Sequence, residues 1–286
     1  MLTSLLLLVC VIFVSLQNVV TKFFKQKCSG GDICFSAMSA GFALLIFAAV
    51  LLFEGKFSFN LTVLLFSVLF AIAYGVSTVF LVLAIGCGSV AQTTLITSYS
   101  LLIPTFFGII FLKETAGAAT FFGIIFLAVS LFLTYYSKSD EKPTAKWIGC
   151  VILSFIGNGM CSTVQKLEPI YCDADSGNIF MIVALLMNTV FLMLFSFMRE
   201  GKAETVTTVK KGWHFAAMCG LMNGVVNLLV MILNNRIAAS VLFPIVSAGN
   251  LVITFLLSVA LFHEKFSKRQ IGGFIVGVAA VVILNL

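Results

Sequence analysis

The chain has 286 residues, of which 61% are apolar, only 10% are charged and 30 are Phe, with a net charge of +6. A soluble domain needs a surface carrying about 25% charged residues, so this composition excludes one and predicts an integral membrane protein. Crossing the bilayer takes about 20 apolar residues, and lipid leaves bare backbone unpaired, so long apolar runs without the short alternation of a barrel mean helices.

In chain order ten spans are predicted: Leu2–Lys22, Ile33–Phe53, Leu61–Ile85, Val90–Leu112, Ala118–Tyr136, Trp147–Lys166, Asn178–Met198, Trp213–Asn234, Ala238–Phe262 and Ser267–Leu286. The first lacks a basic leader and a small-x-small cleavage site, so it reads as a span and not as a removable signal. Cys10 follows Val9, which is too large for a lipoprotein signal. The longest polar stretches, Ser137–Lys146 and Arg199–Lys211, are too short to hold a soluble catalytic domain. The eight cysteines form no CxxC and read as small packing residues, with no metal or cofactor implied.

Most basic residues fall in loops after odd-numbered spans, among them Lys25, Lys27, Lys138, Lys142, Arg199, Lys202, Lys210 and Lys211; the other loops hold only Lys56, Lys113, Lys166 and Arg236. Positive loops stay cytoplasmic, which predicts both termini outside a cytoplasmic membrane. The net positive charge therefore reports topology and implies no nucleic-acid partner.

The chain also contains a rough copy of itself. Tyr74 begins YGVSTVFLVLAIGCGSVAQTT and Asn223 begins NGVVNLLVMILNNRIAASVLF, an offset of 223 − 74 = 149; Glu114 falls on Glu264, an offset of 264 − 114 = 150. Residues 1–140 and 141–286 would then each hold five spans, an odd number, and sit inverted relative to one another, the plan of a secondary transporter with its site between the halves.

A polar side chain is costly in lipid, so polar positions inside spans are the candidates for function. Asn223, Asn227 and Asn234 share one helical stripe, and Tyr74 and Thr78 are the register mates of the first two. Gln17, Asn18 and Lys22 close the first span, and Asn158, Gln165 and Lys166 recur toward the end of the sixth. Span four carries Gln92-Thr93-Thr94 and Thr97-Ser98-Tyr99-Ser100 ahead of Pro104, and span nine answers with Ser247, Asn250 and Thr254. Tyr99 and Asn250, offset by 250 − 99 = 151, are the preferred pair.

The expected substrate contacts are thus Gln17, Asn18, Tyr74, Thr78, Tyr99, Asn158, Gln165, Asn223, Asn227 and Asn250, with Lys22 and Lys166 as gating or anion-contact candidates. Two readings stay open for the amides, cavity lining or helix–helix glue, and for the lysines, substrate contact or snorkelling to the interface. Pro104 and Pro244 predict kinks. Gly220xxxGly224 and Gly273xxxGly277 predict close packing, within the chain for the first and favoured so for the second over a dimer, so a monomer is favoured. Glu114 and Glu264 are expected to cap the helix that follows each.

Span four, with Pro104 before a terminal Lys113-Glu114 and a Gly-containing fifth span, together with the repeat at His263-Glu264 and Gly272-Gly273, resembles the EamA-type branch of the drug/metabolite transporter superfamily. The resemblance implies a ten-helix carrier of two inverted five-helix repeats that moves small metabolites by alternating access. No HExxH or GxSxG occurs, and His214 and His263 lie at the ends of different spans, so catalysis has no visible machinery. With no Asp or Glu at the middle of a span, proton coupling lacks a carrier, while uniport, exchange and sodium coupling stay open. The reading is a carrier for an amino acid, a nucleoside or a similar small metabolite; the alternatives are a channel or a non-transporting scaffold or receptor.

Overall fold

The structure is a computed structural model and describes residues 2–28, 30–54, 58–113, 117–135, 144–173, 175–234 and 239–283. Glu114, Arg236, Lys138 and Lys142 lie outside them, as do the side chains of Asn234 and Pro244. Among the described residues every regular element is a helix: α1 Leu2–Lys27, α2 Asp32–Glu54, α3 Leu61–Cys87, α4 Val90–Ser98, α5 Leu102–Phe111, α6 Ala118–Tyr135, α7 Ala145–Tyr171, α8 Gly177–Arg199, α9 Lys202–Asn234, α10 Ala239–Phe262 and α11 Lys268–Ile283.

Among the described residues eight helical spans are long and apolar enough to cross a membrane, α4 and α5 counting as one, Val90–Phe111. The two remaining expected spans correspond to α6, with 18 residues, and α11, described as Lys268–Ile283 and opening on Lys268-Arg269. Exposed Leu52, Phe121, Phe191, Leu194 and Leu256 line the outside, as a lipid-facing surface requires.

Helix starts follow their capping residues. Asn60 Oδ1 accepts from Val63 N at 2.9 Å, Ser89 Oγ from Gln92 N at 3.2 Å and Thr144 Oγ1 from Trp147 N at 3.2 Å. Ser267 and Gln270 bond reciprocally to each other's backbone N–H, at 2.9 and 3.2 Å, and so open α11.

Span four is interrupted by a 3₁₀ turn at Tyr99–Leu101. Pro104 has no N–H to give the carbonyl four residues earlier, so the helix tightens where that bond is missing. The sequence places a loop at Arg199–Lys211, but α9 already starts at Lys202. Buried Thr205 and Thr208 anchor this extra stretch: Thr205 Oγ1 lies 2.8 Å from Ser196 Oγ.

The helices do not pack in chain order. One triad is α3, α4 and α7; a second is α1, α9 and α10; α2 packs on both α8 and α9, and α6 on α11. Glycine permits the closest approaches. A Cβ on Gly157 would sit 2.7 Å from Ser77 N and 2.8 Å from Ala73 O, so α7 lies directly against the α3 backbone. Gly220 and Gly224 bring α9 onto α2, where a Cβ on Gly224 would sit 2.9 Å from Ala43 O. Gly273 and Gly277 are likewise used inside the chain: the Gly273 carbonyl accepts from Ser130 Oγ at 2.6 Å, and a Cβ on Gly277 would meet Ser130 Oγ at 2.8 Å.

Candidate substrate cavity

Between the triads lies a cavity of about 280 Å³, lined from α1, α2, α3, α4, α7, α9, α10 and the 3₁₀ turn. Most of its lining residues are Asn, Gln, Ser, Thr or Tyr, set among apolar side chains such as Val14, Leu81 and Val246. Among the described residues no Asp, Glu, Lys, Arg or His lines it, and no three His, Cys, Asp or Glu side chains come together as metal ligands.

Two amide clusters dominate one wall. Asn223 Oδ1 accepts from Tyr74 Oη and from Asn227 Nδ2, both at 3.0 Å, while Asn223 Nδ2 donates to Gln17 Oε1 at 3.2 Å. Gln17 Nε2 in turn donates to the Phe13 carbonyl at 3.2 Å. This chain ties α1, α3 and α9 together at the cavity. In the second cluster Asn250 Oδ1 accepts from Thr254 Oγ1 at 2.9 Å, Ser15 Oγ at 3.2 Å and Asn18 Nδ2 at 3.4 Å.

The facing wall is built of hydroxyls that answer mainly to backbone. Thr78 Oγ1 donates to Tyr74 O at 2.9 Å, Thr97 Oγ1 to Thr93 O at 2.9 Å and Ser154 Oγ to Ser77 O at 3.1 Å. Asn158 Nδ2 donates to Ser100 Oγ at 2.7 Å and joins α7 to the 3₁₀ turn. Thr94 differs: it lines the cavity, is 2% exposed, and its hydroxyl has no hydrogen-bond partner among the described residues.

Of the residues expected from sequence, Gln17, Asn18, Tyr74, Thr78, Asn158, Asn223 and Asn250 line the cavity. Asn227 stands behind Asn223 and orients it. Gln165 and Lys166, half-buried about two turns beyond Asn158, are not lining residues. Tyr99 is a correction: its hydroxyl donates to Ser130 Oγ at 2.5 Å, which passes its own proton to Gly273 O, so the ring joins α6 and α11. Ser100, one residue on, takes the cavity position.

Lys22 is not a lining residue either; Nζ donates to Ile85 O at 3.0 Å and Gly88 O at 2.8 Å, capping the last turn of α3. Glu264 corrects a second expectation. It leaves α11 to its own Ser267–Gln270 cap and instead accepts from Ser89 Oγ at 2.6 Å and Val90 N at 3.0 Å, at the start of α4. A cation from α1 and an anion from the end of α10 thus grip the two sides of the single α3–α4 turn. At the same end, Trp147 Nε1 donates to Thr93 Oγ1 at 3.0 Å, and Glu200 accepts from Ile33 N at 2.8 Å and Cys34 N at 3.2 Å.

Sequence reasoning missed Ser36 and Ser39 on α2, Ser77 on α3 and Ser154 on α7, all of which line the cavity. A signal existed for two pairs: Ser36 and Ser39 share a helix face at i and i+3, and Ser154 and Asn158 at i and i+4.

The EamA-like transporter family model matches residues 145–286, from the first residue of α7 onward, which places the chain in the EamA branch of the drug/metabolite transporter superfamily. No curated protein matches the chain. Among solved structures, a crystal structure described only as that of a protein is similar, with a TM-score of 0.65 at 12% identity, covering 98% of this chain and 95% of that one. At such identity the likeness speaks for the fold alone.

Proposed function

We propose that this multi-pass EamA-family protein is a secondary carrier that moves a small polar metabolite, such as an amino acid or a nucleoside, across the cytoplasmic membrane by alternating access. The observation that carries this reading is the polar cavity between two helix triads inside an apolar shell. Polar groups at that depth are costly unless they meet one another, water or a substrate.

The proposal includes ten crossings arranged as two inverted repeats, residues 1–140 and 141–286. Several geometric features support it. Tyr74 and Asn223, mates by the 149-residue offset, hydrogen-bond to each other at 3.0 Å, as mates do where they meet on a two-fold axis. Lys113 and His263, offset by 263 − 113 = 150, both adopt left-handed backbone, with φ of 55° and 52°. Helix partnerships recur as well: α3 packs on α7 as α9 on α1, α2 on α9 as α8 on α3, and α1 on α10 as α7 on α4.

Alternating access then has its moving parts in the two triads. The grip of Lys22 and Glu264 on the α3–α4 turn closes one end. Hydrogen bonds to charged groups contribute roughly 1.5–3 kcal/mol each, enough to hold one state yet within reach of a ligand's differential binding energy. By the distribution of basic residues this end is cytoplasmic and the termini are outside. A monomer suffices, since the Gly273xxxGly277 face is taken by α6 and Tyr99.

The test is counterflow in proteoliposomes with Asn223→Ala and Asn227→Ala. Uptake per folded protein is expected to fall about tenfold for Asn223→Ala and less for Asn227→Ala, more than the loss of folded yield that the broken Asn223 hydrogen bonds bring. Loss of folded protein in step with uptake would instead support glue in a scaffold.

A further inference from the structure

We infer that the solute accepted by this cavity is uncharged and carries several hydroxyl groups; the inference rests on the carrier reading and narrows its substrate. The first argument is electrostatic. An ion stripped of water without an opposite charge or donors in return loses several kcal/mol, and among the described residues the lining offers no charged side chain. Charged groups on the same helices are engaged elsewhere: Lys22 holds the Ile85 and Gly88 carbonyls, Glu264 holds Ser89 and Val90, and Lys25 pairs with Asp32 one turn before Ser36.

Backbone offers no substitute. A broken helix can take a carboxylate on the bare N–H groups of its second half. Here the break in span four stays bonded, with Tyr99 N–H on the Ile96 and Thr97 carbonyls and Leu102 N–H on those of Tyr99 and Ser100. The starts of α4 and α2, each about a turn before lining residues, are already taken by Glu264 and Glu200. A zwitterion would therefore leave both its carboxylate and its ammonium without a countercharge.

The second argument is the supply of hydrogen bonds. Thr94 Oγ1 is buried without a partner in the lining. Asn250 is 8% exposed and has three donors on Oδ1, while its Nδ2 has no partner among the described residues. One group that donates and accepts and one that donates thus remain, and a ligand hydroxyl satisfies either. An apolar solute would leave them unpaired, at about 1–3 kcal/mol each. The volume, about 280 Å³, suits a compact molecule.

The experiment uses the full chain in nanodiscs and proteoliposomes with five probes: myo-inositol and uridine as neutral polyhydroxylated solutes, leucine as a zwitterion, succinate as an anion and putrescine as a cation. A rise in melting temperature or saturable uptake with at least one neutral probe, and with none of the charged ones, is expected. Thr94→Val removes a hydroxyl that bonds nothing among the described residues, so the unliganded melting temperature should hold while affinity for the neutral probe drops about three- to tenfold. A response to charged probes, alone or equal to the neutral ones, overturns the inference and leaves the carrier reading standing. Silence with all five probes overturns both, and an unchanged affinity in Thr94→Val removes the site assignment.

Discussion

The triad of α3, α4 and α7 and the triad of α1, α9 and α10 face each other across one cavity with unlike chemistry. The first presents hydroxyls, most of them bonded to their own helix or a neighbour's backbone; the second presents amides linked side chain to side chain. Both charged groups that close the α3–α4 turn also come from the second side, Lys22 from α1 and Glu264 from the end of α10. On the proposed two-repeat plan the packing is kept while the two walls diverge, because packing depends on small residues at helix crossings and the lining on neighbouring positions of the same helices. The amide wall carries the cooperative network, so the two walls should differ in what a single substitution costs.

The largest expected effect tests packing inside a triad. Gly157→Leu drives a side chain into the α3 backbone and should abolish folded protein, whereas Gly149→Leu, whose Cβ would meet nothing within 4 Å, should leave yield unchanged in size-exclusion profiles. The contrast between the walls comes next. Asn250→Leu removes the acceptor of three side chains and should cost about 1–3 kcal/mol in denaturant unfolding and most of the uptake. Ser100→Ala, at the position 250 − 100 = 150 residues earlier, removes one bond to Asn158 and should cost about 1 kcal/mol or less. Equal costs would break the comparison.

The grip offers a subtler test. Lys22→Met or Glu264→Gln should shift the population toward a state open at the α3–α4 turn. Cys219 lines the cavity, so its alkylation from that end, in a background with the other cysteines replaced, should rise about three- to tenfold; an unchanged rate would show that the turn is not a gate. The smallest effect is expected at Gln165→Ala and Lys166→Gln, which lie away from the cavity: uptake should stay within about twofold of the parent. A larger loss would extend the site along α7.

Much of this was legible along the chain. Apolar runs announced the helices, and the cost of amides in lipid singled out Gln17, Asn18, Asn158, Asn223 and Asn250. The hydroxyls of Ser36, Ser39, Ser77 and Ser154 were harder to see, because a lone serine in a membrane helix can bond its own backbone and leaves no mark in hydropathy. The start of α9 was missed for a related reason. Residues 202–212 are polar enough to read as a loop, and only their seat against Ser196 and the turn before α2 makes them helix.

By itself the sequence determined a helical membrane protein and the polar stripes inside its spans, since these follow from local hydropathy and from spacing along one helix. Which neighbour each side chain meets was decided only by tertiary structure. One residue turns an α-helix by about 100°, so Tyr99 faces Ser130 on α6 while Ser100 faces the cavity, a distinction finer than the one- or two-residue play in the repeat register. For the same reason Glu264 passes over the helix that follows it and closes the start of α4, a partner about 175 residues away in sequence that only packing brings within 3 Å.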